Sequence, residues 1–437
     1  MKGRNACCER QTRPTQERLM SAPIPHSRRA RLVQLSLAAL AVAAIAACGG
    51  GGGVGAGGTG ITSGTVNGFG SVIVGGVRYD DSSASISRED ANDDGKLRLG
   101  MSVDVSVDDS CGLAATSCVA RGFEIRSDLA GEITADALDP VSGNGTITVM
   151  GQDIAVTAST FIHRSSGVAS GLGLDAGQIV KVHGRRAAAS GVTDWVATYI
   201  EIKAASDAGL GTLNSSFQFR LAGTLTGTTG NYQIGGEPVD LAGLTVPTGT
   251  NPFVRVRITP AADRPVGGWD VVEIKSQRSR ALDQRGRSRV EVQGYVESAT
   301  VGATSTVLVI NGVDVIVADS PAVEFDDGAT YDGLATTTSV VEVKGSINDA
   351  GQLVATKVEL SDEAEREFHV RPNEVSAVTA TTFTVSKANT DPLVVEFDAG
   401  DFDRATAADI GNSILEIKGN IDRTTGRLIA TRIKRDD

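Results

Sequence analysis

The acidic loop at residues 90–95 is the first place where residue types and spacing could do chemistry. Asp90, Asn92 and Asp94 alternate along it ahead of a glycine, and oxygen ligands at alternate positions around such a turn are what Ca²⁺ requires. The twelfth position of a calcium loop carries a bidentate glutamate, whereas Met101 stands there in this sequence. The pattern therefore favours a solvated turn, and a calcium site ligated by Asp90, Asn92 and Asp94 is the alternative.

Catalytic side chains form no recognisable constellation in the sequence. The four histidines fall outside any metal-ligand spacing, and there is no G-x-S-x-G nucleophile motif. Carboxylates are frequent, but glycoside hydrolysis needs two of them opposed across a cleft, and sequence alone does not show that placement. We therefore predict no catalytic residues, no cofactor apart from the calcium alternative, and a non-enzymatic protein. A hydrolase with a carboxylate-based site in a barrel cleft is the alternative.

Cys111 and Cys118 are the two cysteines that lie well inside the chain. We predict that they form a disulfide that staples a hairpin tip, because the export signal described below makes disulfides permissible. Closing so small a loop would stabilise the fold by about 2–2.5 kcal/mol in the chain-entropy model. A redox-active pair is the minor option, since the spacing is not C-x-x-C.

The charge of the chain argues against binding to nucleic acid. The formal net charge is −12, and residues 1–47 carry eight Lys/Arg and two Asp/Glu, which leaves 33 basic and 51 acidic residues and a net charge of −18 for the rest. Phosphate contacts need clustered Lys and Arg. The basic exception is a set of five arginines, which predicts a solvated linker or, alternatively, a docking strip for an acidic partner: Arg278, Arg280, Arg285, Arg287 and Arg289.

The N-terminal residues have the pattern of an export signal. Three arginines at 28, 29 and 31 precede an apolar stretch from Leu32 to Ala47, which is shorter than the roughly 20 residues that span a bilayer. The stretch ends in Ile-Ala-Ala-Cys48 and resembles the lipobox of bacterial lipoproteins. This resemblance implies that Cys48 is lipidated and that residues 1–47 are removed. Met20 would give a signal of conventional length, so it is a candidate for the true start.

The residues after Cys48 favour an outer-membrane lipoprotein. Residues 49–60 are almost entirely glycine, so residues 48–60 form the lipidated cysteine and a flexible tether with a reach of roughly 20 Å. By resemblance to lipoproteins of Gram-negative bacteria, the absence of Asp after the cysteine does not favour retention in the inner membrane. We expect a protein anchored in the outer membrane that faces the periplasm or the cell surface.

In the remaining chain, one pattern of strands occurs five times. Each unit has a strand that contains glycine, an alternating hairpin, a strand of the type V-x-V-x-G and a closing strand of the type A-x-x-I-x-I. The alternation has period two, which predicts half-buried antiparallel sheets. The predicted units are residues 61–127, 128–204, 215–276 (the most diverged), 289–361 and 367–435.

We predict an all-β fold in which each unit closes into a small OB-like antiparallel β-barrel. A two-layer sheet of this size would expose its edges, and closure removes them. Five strands with a pause between the third and fourth suggest the OB-like arrangement. Domains this small bury only about 60% of their unfolded surface, so each barrel alone should be modestly stable.

Two stretches of the first unit carry a family resemblance. They are GTVNGFGSVIVGGVRYD at 64–80 and LRLGMSVDV at 97–105. They resemble the bacterial domain-of-unknown-function family 5666, whose members look like repeated small β-barrels in secreted proteins and lipoproteins. The resemblance is most specific for residues 61–126, intermediate for the second, fourth and fifth units, and weakest for the third. It implies a fold and an envelope location, and no activity or site residues.

Together these patterns predict a monomeric envelope lipoprotein whose tandem barrels act as a binding or scaffold module. Its partners would be the membrane, through the lipid anchor, and an envelope protein or glycan, with no nucleic acid. Repeated modules can add avidity because linkage raises the effective concentration. The alternatives are the envelope hydrolase and a calcium-stabilised structural module.

Overall fold

The computed structural model describes residues 61–436 except for 91–92, 109–110, 113–114, 170–172, 188–192, 207–216, 250, 262–266, 277–288, 320–322, 362–365 and 424. The predicted signal region, the lipidated Cys48 and the glycine tether lie outside these residues. The described part of the chain is all-β, with 56% of the described residues in strands and 2% in helices. Among the described residues, no helix has the length and apolar character needed to cross a bilayer.

Barrel 2 shows the topology most completely. Its first, second and third strands pair antiparallel in sequence order, the third pairs parallel with the last, and the last pairs antiparallel with the strand before it, which returns to the first. This order closes a five-stranded barrel and leaves no free edge. A short extra strand, β10, continues the third strand along the last one. The elements are β7 (Leu129–Leu138), β8 (Gly145–Val149), β9 (Gln152–Val156), β10 (Phe161–Arg164), β11 (Ile179–Arg186) and β12 (Trp195–Ala204).

Barrels 1 and 3 close in the same order. Barrel 1 comprises β1 (Ile61–Phe69), β2 (Val72–Val74), β3 (Val77–Asp80), β4 (Ser85–Ser87), β5 (Ser102–Val107) and β6 (Ser117–Ile125). Barrel 3 comprises β13 (Phe219–Thr228), β14 (Asn231–Ile234), β15 (Glu237–Asp240), β16 (Phe253–Ile258) and β17 (Trp269–Ser276).

Barrels 4 and 5 also close in this order, but the first strand of each is broken in two. Barrel 4 comprises β18 (Val290–Gly294), β19 (Val296–Val301), β20 (Ser305–Ile310), β21 (Val313–Ala318), β22 (Glu324–Asp326), β23 (Val340–Ile347) and β24 (Leu353–Ser361). Barrel 5 comprises β25 (Arg366–Val370), β26 (Val375–Ser376), β27 (Thr382–Val385), β28 (Leu393–Glu396), β29 (Leu415–Asp422) and β30 (Arg427–Arg435), with 3₁₀ turns at Pro372–Glu374 and Ala407–Asp409.

The tandem OB-like barrels predicted from the sequence are confirmed, with one difference in their strands. The alternating pattern predicts antiparallel sheets, whereas each barrel closes through one parallel pairing between its third and last strands. Period-two alternation is the same for parallel and antiparallel partners, so the pattern carries no information about this pairing.

The glycine of the V-x-V-x-G strands has a geometric cause. In barrels 2, 4 and 5 the register between the last two strands shifts at this residue: Gly184, Gly345 and Gly419. A Cβ on Gly345 would lie 2.0 Å from the carbonyl oxygen of Val354. The glycine therefore permits a β-bulge that tightens the barrel corner.

The apolar side chains of the alternating strands fill the barrel interiors. The valines of β23, Val341 and Val343, are fully buried, and so are their counterparts in the other barrels. Barrels 2 and 3 share one continuous apolar core, barrels 1 and 5 share another, and barrel 4 has its own.

The polar faces of these strands are buried as well, because the barrels pack on one another inside a single compact unit. Barrel 1 is the hub: β1 pairs parallel with β18 of barrel 4 at Ile61–Ser63 and with β25 of barrel 5 at Gly68 and Phe69. A Cβ on Gly68 would lie 1.7 Å from the carbonyl oxygen of Glu367. The alternation predicts strands with one buried and one solvated face. The prediction is wrong for β11, in which seven of eight residues are buried.

Candidate functional site

The acidic loop of barrel 1 contacts the outer faces of barrels 2 and 3. Asp90 is 3% exposed; its carboxylate lies 2.5 Å from Lys181 Nζ and accepts a hydrogen bond of 2.9 Å from Arg220. The carboxylate of Asp93 accepts hydrogen bonds from Lys181 and Lys203. The sequence pattern predicts that this loop is solvated. In the structure its carboxylates instead form buried ion pairs with barrels 2 and 3.

The two described members of the predicted calcium loop do not converge on one point. Asp90 is engaged by Lys181 and Arg220, whereas Asp94 accepts hydrogen bonds from Arg98. Asn92 lies outside the described residues. Lysine and arginine occupy the oxygens that a cation would need, so the arrangement does not support the calcium alternative at Asp90 and Asp94. The prediction of a solvated turn is also wrong for Asp90, because its side chain is buried and forms ion pairs.

Cys111 and Cys118 are joined by a disulfide with a Cα–Cα distance of 5.3 Å. The loop that it closes contacts Arg289, which donates hydrogen bonds to the carbonyl oxygens of Gly112 and Ala115 and forms an ion pair with Glu291. Arg289 is fully buried, so it is not part of a solvated basic linker. The other four arginines of the predicted strip lie outside the described residues.

A groove between barrels 2 and 5, bordered by barrel 1, is the best candidate for a ligand site. We call it the inter-barrel groove; it consists of two cavities of about 220 and 380 Å³ that share the four lining residues Phe161, Ile162, Ile421 and Gly426. Aromatic residues make up only 4% of the chain, and four aromatic rings line this groove: Phe69, Phe161, Tyr199 and Phe368. A mostly apolar cleft with a few polar groups is typical of small-molecule sites.

The charges around the groove are mainly positive, although the chain is acidic. Its lining contains four cations, Arg98, Arg366, Lys387 and Arg423, and one carboxylate, Asp391. Arg98 pairs with Asp94 and Asp391, and Lys387 pairs with Glu374, so the positive character of the lining comes mainly from Arg366 and Arg423. Arg423 donates hydrogen bonds to neutral oxygens of Ser142, Asn144 and Thr157 in barrel 2, so neutral groups hold its charge in place. Arg366 lies over the ring of Phe161 at 5.2 Å, an arrangement favourable for a cation and an aromatic face.

One end of the groove holds a Tyr–His pair in which Tyr199 is buried and His163 is half-buried. The rings of His163 and Tyr199 stack with centroids 6.4 Å apart, and the hydroxyl of Tyr199 is buried with no hydrogen-bond partner among the described residues. Burial and the charge of Glu201 raise the pKa of Tyr199 well above its ordinary value. Burial and the nearby charge of Arg98 lower the pKa of His163, so the imidazole is neutral at pH 7. The pair therefore offers a ligand neutral hydrogen-bonding groups beside the cations.

A second, polar cleft of about 720 Å³ lies between barrels 1, 4 and 5. Lys344 contacts Glu342 at 2.8 Å and Glu359 at 2.5 Å. Burial and the charge of Glu291 raise the pKa of Glu342. Hydrogen bonds from Glu342, Lys344 and Lys357 overcome the effect of burial and lower the pKa of Glu359 to about 2. The pKa values of the two carboxyl groups are thus shifted in opposite directions, which favours the proton on Glu342 and the negative charge on Glu359.

The matching strands of barrel 5 carry a similar charged cluster. Glu367, His369 and Glu416 have ligand atoms within 4.8 Å of one another, which is a spacing that a metal ion could use. However, Lys418 contacts Glu367 and Lys434 contacts Glu416, and each ring nitrogen of His369 lies 2.6 Å from a carboxylate. Cations of the chain already neutralise these acids, so the cluster reads as a barrel contact.

Sequence reasoning did not find the groove. Its walls come from barrels 1, 2 and 5, whose residues lie far apart in the chain, and no motif marks them. Two features of the sequence could have pointed to it. One is the scarcity of aromatic residues, and the other is the presence of His163 and Phe161 on a short strand that is not part of the repeated strand pattern. Neither feature indicates a site unless the packing of the barrels is already known.

Comparison with protein families gives the same repeat architecture. The model of a domain of unknown function (DUF5666) matches residues 130–201 and 288–359, which correspond to barrels 2 and 4. The first unit, whose motifs carry the resemblance in the sequence analysis, is not in the matched segments. No curated protein matches the chain. The chain therefore contains two segments that match the model of this family.

Proposed function

We propose that this protein is a non-enzymatic, lipid-anchored binding protein of the bacterial envelope and that its inter-barrel groove takes an amphipathic anion. Such a ligand has an apolar body with a carboxylate or phosphate group. The observation that carries the proposal is the lining of the groove, where four cations surround aromatic and aliphatic side chains in a chain of net charge −12. Charge-assisted hydrogen bonds from arginine are well suited to carboxylates and phosphates.

A fluorescent fatty acid tests the groove directly. Dansylaminoundecanoic acid combines an apolar body with one carboxylate, so we expect saturable binding by the described barrels. Ile162 lines both cavities, and Ile162→Glu should weaken binding at least tenfold because it places a negative charge on the apolar floor. Val301→Glu is the control, since Val301 is 64% exposed and lies on barrel 4, which contributes no residue to the lining of the groove. Equal affinity for wild type and Ile162→Glu would contradict the proposal.

The envelope location rests on the signal pattern that ends at Cys48. Metabolic labelling with an alkyne-tagged palmitate should mark the wild-type protein in a Gram-negative host, and the protein should then fractionate with the outer membrane. Cys48→Ala should lose the label and leave the membrane fraction. Labelling that persists in Cys48→Ala would contradict lipidation at this residue.

A hydrolase at the polar cleft is a second candidate, favoured by the opposite pKa shifts of Glu342 and Glu359. Pairs of carboxyl groups with separated pKa values often act as acid and base. Against this, both carboxyl groups contact Lys344, and barrel 5 carries a similar charged cluster at a barrel contact. Hydrolysis of chromogenic esters or glycosides by wild type, abolished in Glu342→Gln, would favour the enzyme; no turnover by either protein would leave the binding function.

A further inference from the structure

Barrels 1, 2, 3 and 4 meet around a small, partly open cavity of about 80 Å³. Its lining includes one arginine from each of the first three barrels: Arg126, Arg185 and Arg255. The opposite wall is apolar and comes mainly from barrel 4, with Val292, Val313 and others. We call this space the arginine cavity. It is distinct from the inter-barrel groove, with which it shares no residue.

Two of these arginines have hydrogen-bond donors without partners. Nε of Arg126, and Nε and Nη1 of Arg255, are buried from solvent and donate to no acceptor in the described part of the chain. Each buried donor left unsatisfied costs about 1–3 kcal/mol. Three such donors around one cavity indicate that an acceptor normally occupies it.

The remaining contacts fix the two guanidinium groups in place. Arg126 pairs with Asp104 at 2.7 Å, and Arg255 pairs with Asp128 at 2.5 Å through its Nη2. Asp128 also accepts a hydrogen bond from the backbone N–H of Gly184. Each guanidinium is therefore held by the protein through its Nη2, and Nε of both residues and Nη1 of Arg255 are left for a ligand.

The donors without acceptors select the sign of that ligand. The lining contains three guanidinium groups and two carboxylates, Asp128 and Glu291, and Asp104 pairs with Arg126 from outside the lining. Burial and, in addition, the positive charge of Arg126 lower the pKa of Arg255, against the opposing effects of Asp128, Asp104 and Glu89. An anion between Arg126 and Arg255 would relieve this repulsion, whereas water would satisfy the donors without reducing it.

We propose that the arginine cavity binds one small monovalent anion, a halide or a short monocarboxylate, through Arg126 and Arg255. The anion would join barrels 1, 2 and 3 at the centre of the molecule. The volume excludes larger anions, and the apolar wall is compatible with the methyl group of acetate.

Thermal unfolding in different sodium salts tests this site. At constant ionic strength, replacing gluconate, which is too large for the cavity, with chloride or acetate should raise the Tm of the wild type by about 2–4 °C. The stronger response of the two distinguishes a halide from a monocarboxylate. Arg255→Met should lose this response. Arg257→Met is the control and should keep it, because Arg257 lies on the same strand but is exposed and pairs with Glu273.

A direct measurement covers the case in which Arg255→Met does not fold. Isothermal titration of chloride and of acetate into wild-type protein dialysed against gluconate should give saturable heat with a stoichiometry of one for at least one of the two anions. No saturable heat for either anion, or an equal Tm response in wild type and a folded Arg255→Met, would overturn the proposal.

Discussion

At the scale of single residues, the contacts between barrels are made largely by buried polar side chains. His183 on β11 accepts a hydrogen bond at Nδ1 from the backbone N–H of Ser102 in barrel 1. An acceptor Nδ1 requires the neutral ring, and burial lowers the pKa of His183 to about 4. The imidazole therefore links two barrels only while it is unprotonated.

This link predicts a loss of stability in mild acid. The native pKa of about 4 lies below the unfolded value of about 6.5, so the unfolded chain takes up the proton first. Stability from His183 is complete above pH 6.5 and is lost as pH falls towards 4. Between pH 7 and 5 the loss is about 2 kcal/mol. Urea unfolding at both pH values should show this difference in wild type and a smaller one in His183→Asn; equal differences would contradict the assignment.

The buried carboxylate of Asp90 gives a second prediction. Asp90→Asn leaves Lys181 and Arg220 with one negative charge fewer in a buried place, and this should cost about 3 kcal/mol. Glu396→Gln is the control, because Glu396 and Arg427 form an exposed pair worth less than about 1 kcal/mol. Denaturant unfolding measures both. A calcium-dependent stability of the wild type, lost in Asp90→Asn, would instead support the calcium loop.

At the scale of the strands, the sequence pattern predicts the barrel interiors well and their exteriors poorly. The alternation in Val341-Glu342-Val343-Lys344 correctly places both valines inside. Its polar positions suggest a solvated face, yet Glu342 is 3% exposed and Lys344 is 7% exposed. A charged residue has the same signature on a wet face and on an ion-paired barrel contact, so only the packing of the barrels separates the two.

At the scale of the strands, we also predict that replacing a glycine at a β-bulge destabilises the fold. Gly345→Ala would place a Cβ against the carbonyl of Val354 and should cost about 1–3 kcal/mol, as other overpacking changes do. Gly112→Ala, where a Cβ meets no atom within 4 Å, should change the free energy of unfolding by less than about 0.5 kcal/mol. Similar costs for the two substitutions would argue against a bulge that requires glycine.

At the scale of the whole molecule, the account predicts one cooperative unit. Barrel 1 shares strand pairing with barrels 4 and 5, and its Asp90 and Asp93 pair with Lys181 on the outer face of barrel 2. Calorimetry of the chain should therefore give a single transition with a van't Hoff enthalpy well above that of one barrel. Five separable transitions would show independent beads.

The sequence predicted the five repeats because each carries its own strand pattern. It could not predict the groove, the cleft or the arginine cavity, because all three lie between barrels. Residues such as Phe161 and Ile421 come together only after packing, and contacts between distant repeats leave no local period in the chain.

The most direct test of the ligand-binding account is the chemical identity of what the protein carries. Wild-type protein and Ile162→Glu, purified from the envelope without detergent exchange, would be extracted with organic solvent and compared by mass spectrometry. The account predicts an amphipathic carboxylate or phosphate at near-stoichiometric amount in the wild type and at least tenfold less in the variant. Extracts of equal composition and amount would contradict a ligand site in the inter-barrel groove.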